Sequence, residues 1–511
     1  MVGGMVDRGV RRRRVDAVIV AAFLASFALA RAGRVAERDP YWQIRAGAEN
    51  LAGVPLARPD TWSWSGAAGD WYPNSPLWNV VLALAYRAGG FWGVFAFSAL
   101  VLLVLLLLSA VLAARLGARP LPGLVGLFMV FAGALPYLGA RATLGAQVIM
   151  VLAVYLGVVL SDAVTRLAVP ILAALTATAA TALSVLGNWI HLSFLLVGPG
   201  LALVWAAIWV LTPSTTIRVR AVLIAAGGLG WTLGPVLSPY GVAGGLARAR
   251  AVQEAAQGLL TEWSSPFDPV QDGRFTGMVI VAIVVAAGAL WWLWDGWRRG
   301  SDLRLPVALC LIGVPGSLAG LFALRFLGIG PVTLAPVVAA IATALVDRLR
   351  HVLGTLPARP WLRLAKDYTS GRFWRIVLAV VAVALSPAVV VLAGEHAAPP
   401  EQAALARLPE GCRVFSAPDI GGVVVLLRPD APVWMDGRAD FFGRRLLVEG
   451  ITYWTATSAS VVPEGTGCVL VNATTPLTTP LRARIATDPR WRLDSRAGDV
   501  ELWLPAGQEG R

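Results

Sequence analysis

Long apolar runs separated by short polar connections are the feature that most constrains this chain. A run from Val15 to Ala30 comes first, and ten more follow at about residues 91–113, 121–138, 142–160, 167–186, 192–211, 219–237, 277–294, 304–323, 327–346 and 375–393. About 20 apolar residues suffice for a helix to cross the hydrocarbon core of a bilayer. The sequence therefore predicts an α-helical polytopic membrane protein with about 11 transmembrane helices.

The composition agrees with a membrane protein. Hydrophobic residues make up 57% of the 511-residue chain and charged residues only 14%, whereas soluble domains carry about 25% charged residues. The formal net charge is +13, but the basic residues lie between the apolar runs, where they determine membrane orientation. We therefore expect no nucleic-acid partner.

The distribution of arginines predicts the topology. Arg8 and residues 11–14 precede the first run, which is too long and too poorly terminated for a cleaved signal peptide and is interpreted as an anchor. Basic connections then alternate along the chain, which puts the N-terminus in the cytoplasm and residues 31–90 in an outer loop. The odd number of spans leaves the C-terminal part outside.

That C-terminal part differs in pattern from the rest. Residues 414–416, 432–435 and 469–471 are short apolar runs bounded by Gly, Pro and Asp, as buried strands are, and residues 491–504 suggest a hairpin. Helices are predicted near 442–455 and 477–487. We therefore expect a transmembrane domain over residues 1–394 and an extracytoplasmic α/β domain over residues 395–511.

Two acidic residues follow the first span directly, in Glu37-Arg38-Asp39. Side chains two residues apart point the same way from an extended segment, and Pro40 favours an extended Asp39. Such a pair could hold a divalent metal, Mg or Mn, through its oxygens, or one acid could accept a proton. The alternative is an ordinary charged loop at the membrane surface.

Four more polar residues fall on the same predicted face of the membrane. They are Arg141, His191, Glu262 and Arg325. Arginine binds phosphate through paired hydrogen bonds, and histidine orients or transfers protons. The alternatives are arginines that contact lipid headgroups and a histidine that only packs. Because ionisable groups near a bilayer are costly, their shared face favours a site that lies beside Glu37 and Asp39 and takes a lipid phosphate.

The order of several short motifs resembles the GT-C superfamily of polytopic glycosyltransferases, in a largely uncharacterised bacterial branch. The motifs are Glu37-Arg38-Asp39 in the first outer loop, Asp39-Pro40-Tyr41-Trp42-Gln43-Ile44-Arg45-Ala46-Gly47, Asn188 to His191, Pro239-Tyr240-Gly241, Glu262 to Pro266, Gly421-Gly422 and Asp436-Gly437-Arg438. The resemblance covers nearly the whole chain. Two positions depart from it: Gln43 stands where histidine is common, and Asn74-Ser75-Pro76 stands where the branch often has a Glu.

The resemblance implies a function on the outer face of the bacterial plasma membrane. A sugar would pass from a polyprenyl-phosphate donor in the membrane lipid to a glycan or protein acceptor of the envelope. Asp39 would be the general base or a metal ligand with Glu37, Arg141 and Arg325 would bind the donor phosphate, and His191 and Glu262 would assist catalysis on the acceptor side. The two departures leave catalysis and metal use open.

A non-enzymatic protein is the alternative from another class. It would be a transporter or flippase for a lipid-linked glycan, or a scaffold in envelope assembly, including a glycosyltransferase relative without activity. A transporter is expected to place polar groups near the middle of the bilayer, within inverted repeats. The polar residues of this chain lie at one predicted face instead, which favours the transferase.

The two C-terminal cysteines are predicted to form a disulfide. Cys412 and Cys468 each lie next to a short apolar run, and these runs could lie side by side in a parallel sheet. An extracytoplasmic compartment permits oxidation. The alternative is two unpaired buried thiols.

Overall fold

The computed structural model describes residues 3–33, 38–67, 69–213, 215–257, 259, 261–355, 375–378, 380–381, 399 and 401–507. Its membrane part contains α1 (Gly3–Gly33), α2 (Asp39–Leu51), α3 (Pro76–Arg115), α4 (Pro120–Gly133), α5 (Ala142–Asp162), α6 (Val169–Ile190), α7 (Phe194–Leu211), α8 (Ile217–Val236), α9 (Gly241–Ala256), α10 (Thr276–Arg298), α11 (Arg304–Ala319) and α12 (Gly330–Thr355). The outer loop adds the short antiparallel pair β1 (Arg58–Pro59) and β2 (Asp70–Trp71).

The predicted spans correspond well to these helices. Eight helical segments of the described chain are long and apolar enough to cross a membrane, and α4 and α11 are shorter apolar helices. Together these account for ten of the eleven predicted runs. The eleventh run, at 375–393, lies mostly outside the described residues. Within it the structure describes only residues 375–378 and 380–381, which are helical. The chain is a multi-pass membrane protein.

The connection between the first two spans is built from α2 and the first arm of α3. Gly89 and Gly90 interrupt α3 with non-helical backbone, and Gly90 has a φ of 57°, which favours glycine. The first arm therefore turns away from the transmembrane arm. α2 packs closely on that first arm, because a Cβ atom on Gly47 would lie only 2.0 Å from the carbonyl oxygen of Asn79.

Asp39 is the first residue of α2, and the prediction that it is extended is wrong. Pro40 follows it within the first helical turn, where the missing N–H of proline costs nothing. A carboxylate in that turn also interacts favourably with the positive end of the helix dipole. These two effects outweigh the restriction that proline places on the residue before it.

The C-terminal part is a small α/β unit, as predicted. Its four strands are β3 (Val414–Ser416), β4 (Cys468–Asn472), β5 (Trp491–Ala497) and β6 (Val500–Pro505), in the order β3-β4-β6-β5. β3 and β4 run parallel, and the other pairs are antiparallel. Its helices are α13 (Gln402–Leu405), α14 (Pro418–Leu427), α15 (Ala439–Trp454) and α16 (Thr479–Thr487). The predicted boundary at 394/395 lies outside the described residues and stays a prediction.

Two local details of this unit concern predictions from the sequence. A disulfide joins Cys412 and Cys468, whose Cα atoms are 6.1 Å apart. The strand predicted at 432–435 is only a pair of isolated bridges, in which Val433 pairs with Val414 and with Ser63 of the outer loop. Pro432 has no N–H to continue a ladder, which explains the short pairing.

The C-terminal unit docks directly on α2. Arg38, which precedes α2, forms an ion pair of 2.6 Å with the fully buried Glu401. Arg45 donates to the carbonyl oxygen of Val425 at 2.8 Å. Trp42 of α2 also belongs to one buried cluster with residues of β3 and α14. The segment that carries Asp39 is therefore held between the membrane helices and the C-terminal unit.

Candidate functional site

Asp39 lies where the first outer loop meets the membrane domain and the C-terminal unit. Its Oδ1 atom accepts a hydrogen bond from the indole N–H of Trp42 at 3.3 Å, and its Oδ2 atom lies 4.0 Å from Nε of Arg141. Solvent reaches 37% of the side chain, so a ligand can reach the carboxylate although protein surrounds it. Desolvation by that protein raises the pKa of Asp39, and the charge of Arg141 partly opposes the rise.

Arg141 bridges two acidic residues from different parts of the chain. It precedes α5 in extended conformation, and its Nη1 atom is 2.5 Å from Oε2 of Glu262. About a third of both side chains is exposed. The guanidinium thus lies between Asp39 and Glu262, with one edge oriented by an ion pair.

Glu262 and Arg325 are brought together by two short 3-10 helices. Thr261–Trp263 carries the glutamate and Leu324–Gly328 carries the arginine, whose guanidinium lies 4.2 Å from the ring centre of Trp263. Burial tends to raise the pKa of Glu262, but the charges of Arg141 and Arg325 outweigh it and lower the pKa. Glu262 is therefore ionised at neutral pH.

His191, the residue after α6, is neutral. Its Nδ1 atom accepts a hydrogen bond from the backbone N–H of Ser193 at 3.1 Å and lies 2.7 Å from the Ser193 hydroxyl oxygen. Burial and the nearby charge of Arg325 lower the pKa of His191 to about 3. Because Nδ1 is an acceptor, the ring proton is on Nε2, which makes the side chain a hydrogen-bond donor and a poor base.

Only one member of the predicted metal pair, Asp39, lies in the part of the chain that the structure describes. The part of the chain that the structure describes contains no group of three or more His, Cys, Asp or Glu side chains that could hold an ion. Asp39 and Glu262 instead flank the cation of Arg141, which occupies the space between their charges. Glu37 lies outside the described residues, so its predicted metal and catalytic roles stay predictions.

Gly437 and Arg438 of the C-terminal unit lie beside Asp39 and Trp42 or pair with neighbouring acids. The sequence predicted no role in the site for these two residues. A Cβ atom on Gly437 would lie 3.1 Å from Oδ1 of Asp39 and 2.7 Å from Nε1 of Trp42, so only glycine fits there. The neighbouring Arg438 is buried between Asp436 at 2.7 Å and Asp60 at 2.9 Å. The signal in the sequence that could have indicated this close approach is a glycine between two charged residues, Asp436-Gly437-Arg438.

The remaining motifs have mostly structural contacts. The Nδ2 atom of Asn188 donates to the carbonyl oxygen of Ser184 within α6. Tyr240 donates its hydroxyl to the carbonyl oxygen of Pro73. The backbone N–H of Leu192 donates to the carbonyl oxygen of Asn74 at 2.9 Å, which ties the outer loop to the segment of His191.

This architecture defines the class of fold: a polytopic membrane domain with a C-terminal α/β unit at its side. Comparison with solved structures finds the same overall fold in two other membrane proteins, AglB and ArnT. No family model matches the chain, and no curated protein matches it by sequence.

Two proteins illustrate the structural likeness. The archaeal oligosaccharyltransferase AglB from Archaeoglobus fulgidus, in complex with an inhibitory peptide and a dolichol-phosphate, matches with a TM-score of 0.54 and 13% identity, over 89% of this chain and 69% of its own. ArnT from Cupriavidus metallidurans in the apo state matches with a TM-score of 0.53 and 15% identity, over 99% of this chain and 100% of its own.

The ArnT structure bound to undecaprenyl phosphate gives a TM-score of 0.52 and 15% identity, over 98% of each chain. At such identities the likeness establishes the fold. The predicted polytopic helical fold with a C-terminal α/β unit is therefore confirmed and is shared with AglB and ArnT, while the roles of the individual site residues stay predictions.

Proposed function

We propose that this chain is an integral-membrane glycosyltransferase of the GT-C type. It would move a sugar from a polyprenyl-phosphate donor to a glycan or protein acceptor of the envelope. The observation that carries the proposal is the position of Arg141, which lies beside a partly desolvated, solvent-reachable carboxylate, Asp39. A cation for a leaving phosphate and a base for an attacking hydroxyl are what this reaction needs.

The ligands of the structural neighbours support a lipid-phosphate donor. AglB was solved with a dolichol-phosphate and ArnT with undecaprenyl phosphate. Both are polyprenyl phosphates, and this chain covers nearly all of ArnT. We therefore infer that Arg141 and Arg325 contact the phosphate of a similar lipid, because Arg141 pairs with Glu262 and Arg325 lies against the adjacent Trp263, so that two cations converge on one part of the site.

The proposed chemistry is a single inverting displacement. An acceptor hydroxyl attacks the anomeric carbon, the bond from that carbon to the phosphate oxygen breaks, and the electron pair leaves with the polyprenyl phosphate. The hydroxyl proton passes to Asp39, whose raised pKa makes its carboxylate a stronger base. Arg141 and Arg325 stabilise the negative charge that develops on the phosphate.

Two of the other three predicted catalytic residues, Glu262 and His191, have supporting roles in this proposal, and Glu37 lies outside the described residues. Glu262 positions Arg141 through the 2.5 Å ion pair. His191 offers a hydrogen bond from Nε2 and stays neutral throughout the working pH range. Arg141 supplies the positive charge between Asp39 and Glu262 in this proposal, and a divalent metal held by Glu37 and Asp39 stays a prediction.

The compartment is part of the proposal. The arginine distribution favours a bacterial plasma membrane location with the N-terminus in the cytoplasm and the site and C-terminal unit outside. A phosphatase reporter fused after Arg511 should be active, because it would be exported. A reporter active only in the cytoplasm would place the site in the wrong compartment.

The transferase is tested with full-length protein in liposomes that contain radiolabelled undecaprenyl-phosphate sugars and an envelope extract. Label should pass from lipid to extract with the wild type. It should not pass with Asp39→Asn, while Asp70→Asn, which changes an exposed acid of the same loop, retains transfer. Lipid binding without transfer by the wild type would favour the scaffold, and lipid movement between leaflets without transfer would favour the flippase.

A further inference from the structure

A second group of polar side chains comes from the outer loop, α9 and the C-terminal unit, and includes none of the arginines that we assign to the phosphate. Its members are Tyr72 of the outer loop, Tyr240 and Arg248 at α9, and Asp440 in the first turn of α15. All four are partly exposed, so a ligand can reach them. Asp440 follows Gly437, which approaches Asp39, by three positions in the chain.

Arg248 is oriented by aromatic rings, and no acidic residue of the described chain forms an ion pair with it. Its guanidinium carbon lies 3.4 Å from the ring centre of Tyr72 and 5.5 Å from that of Tyr240. Among the residues that the structure describes, the guanidinium forms no hydrogen bond and no ion pair. Stacking fixes its plane, so its N–H donors are available in one preset direction.

Asp440 lies in the first turn of α15, and α15 packs against α9, the helix that carries Arg248. The Nη1 atom of Arg444 in α15 also donates to the carbonyl oxygen of Gln257 at the end of α9. Within the described ranges, no ion pair joins Asp440 to Arg248 or to Arg438, so a donor-only side chain and a carboxylate acceptor on two packed helices are both left without a charged partner. Tyr240 is held rigidly beside them, because its hydroxyl donates to the carbonyl oxygen of Pro73.

We propose that Tyr240, Arg248 and Asp440 form a binding subsite for a carbohydrate acceptor. Neighbouring hydroxyls of a sugar both donate and accept hydrogen bonds, so one can accept from Arg248 while the next donates to Asp440. The C–H face of the sugar then packs against an aromatic ring. The group has no net charge, which suits a neutral sugar better than an anionic acceptor.

This subsite adds the acceptor to the proposed function. It rests on that proposal, because a bound sugar is an acceptor only if the chain is a transferase. The donor would enter from the membrane side, at Arg141 and Arg325, and the acceptor from the side of the C-terminal unit. Asp39 lies between the two, since it approaches Arg141 on one side and Gly437 on the other.

Binding is tested with full-length protein in nanodiscs, by saturation-transfer difference NMR. The probes are methyl α-mannopyranoside, methyl β-glucopyranoside, methyl β-galactopyranoside and an uncharged tetrapeptide. At least one glycoside should bind the wild type, and Arg248→Gln and Asp440→Asn should each weaken that binding about tenfold or more, because each removes one charge-assisted hydrogen bond. Arg250→Gln is the matched control, since Arg250 is an exposed arginine of the same helix.

Undecaprenyl phosphate binding, measured by native mass spectrometry on the same samples, separates the two proposals. Unchanged lipid binding in Arg248→Gln and Asp440→Asn with weakened glycoside binding supports both. If the two variants lose glycoside binding but the wild type binds no lipid, the sugar subsite is supported and the donor assignment is overturned. Peptide binding alone, no glycoside binding, or glycoside binding that survives both substitutions overturns the subsite.

Discussion

The Nε atom of Arg141 lies 4.0 Å from Oδ2 of Asp39, and Nη1 on the same guanidinium lies 2.5 Å from Glu262. The short contact goes to the residue that stays ionised, and the longer one goes to the carboxylate whose pKa is raised. The guanidinium of Arg141 therefore interacts more closely with Glu262 than with Asp39. Asp39 remains accessible for a proton, while Glu262 keeps the guanidinium oriented.

Replacement of Asp39 by asparagine should lower the transfer rate by at least about 100-fold, which is the usual contribution of a general base. The side chain keeps its size and can still accept from Trp42, so folding should be preserved. Steady-state transfer in liposomes measures the effect, and Asp70→Asn is the control. A variant with near-normal kcat would remove Asp39 from the chemistry.

Replacement of Arg141 by alanine should weaken undecaprenyl phosphate binding about 10- to 100-fold, because charge-assisted hydrogen bonds contribute about 1.5–3 kcal/mol. Native mass spectrometry in nanodiscs measures the affinity. Arg166→Ala is matched to it, since Arg166 is exposed beyond the other end of α5. Equal affinities in the two variants would show that Arg141 does not contact the lipid phosphate.

Much of this arrangement was foreseeable from the sequence because transmembrane helices alternate in direction. Arg141 precedes α5, His191 follows α6 and Arg325 precedes α12, so alternation alone puts all three at one end of the bundle. The long apolar runs determine the helices almost uniquely, since the bilayer leaves the backbone no other way to satisfy its hydrogen bonds.

The specific contacts could not be predicted in this way. The Arg141–Glu262 ion pair depends on how two short 3-10 helices meet, and the acceptor role of Nδ1 in His191 depends on a local turn at Ser193. The approach of Gly437 to Asp39 joins residues far apart in the chain. Hydrophobic periodicity carries no information about such contacts, which depend on side-chain packing between elements.

The Cys412–Cys468 disulfide should stabilise the C-terminal unit by about 4 kcal/mol, the chain-entropy expectation for a sequence separation of 56. The double variant Cys412→Ser/Cys468→Ser should become sensitive to proteases in the C-terminal unit at lower temperature. Dithiothreitol should reproduce the effect in the wild type and add nothing in the variant. Equal protease resistance in all samples would show that the bond contributes little.

Glycoside binding should weaken as the pH falls through about 6. Burial, partly opposed by the charge of Arg438, raises the pKa of Asp440 to about 6, and Arg248 and Asp436 are its other charged neighbours. Protonation removes the acceptor for a sugar hydroxyl. Because the folded-state pKa exceeds the unfolded value of about 3.9, acidification between these values stabilises the folded state through this residue.

Saturation-transfer NMR between pH 5 and pH 8 tests this prediction, with thermal unfolding followed on the same samples. Wild-type binding should fall at low pH without loss of folded protein, and the weak binding of Asp440→Asn should not depend on pH. A pH dependence that persists in Asp440→Asn would assign it to another group.

The most direct test of the central assignment is a cryo-EM structure of the full-length protein in nanodiscs with undecaprenyl phosphate. We expect density for the lipid phosphate within about 3 Å of guanidinium nitrogens of both Arg141 and Arg325, with Asp39 facing the open side of the phosphate. Lipid phosphate density more than about 10 Å from both arginines, beyond effective screened interaction, would contradict it.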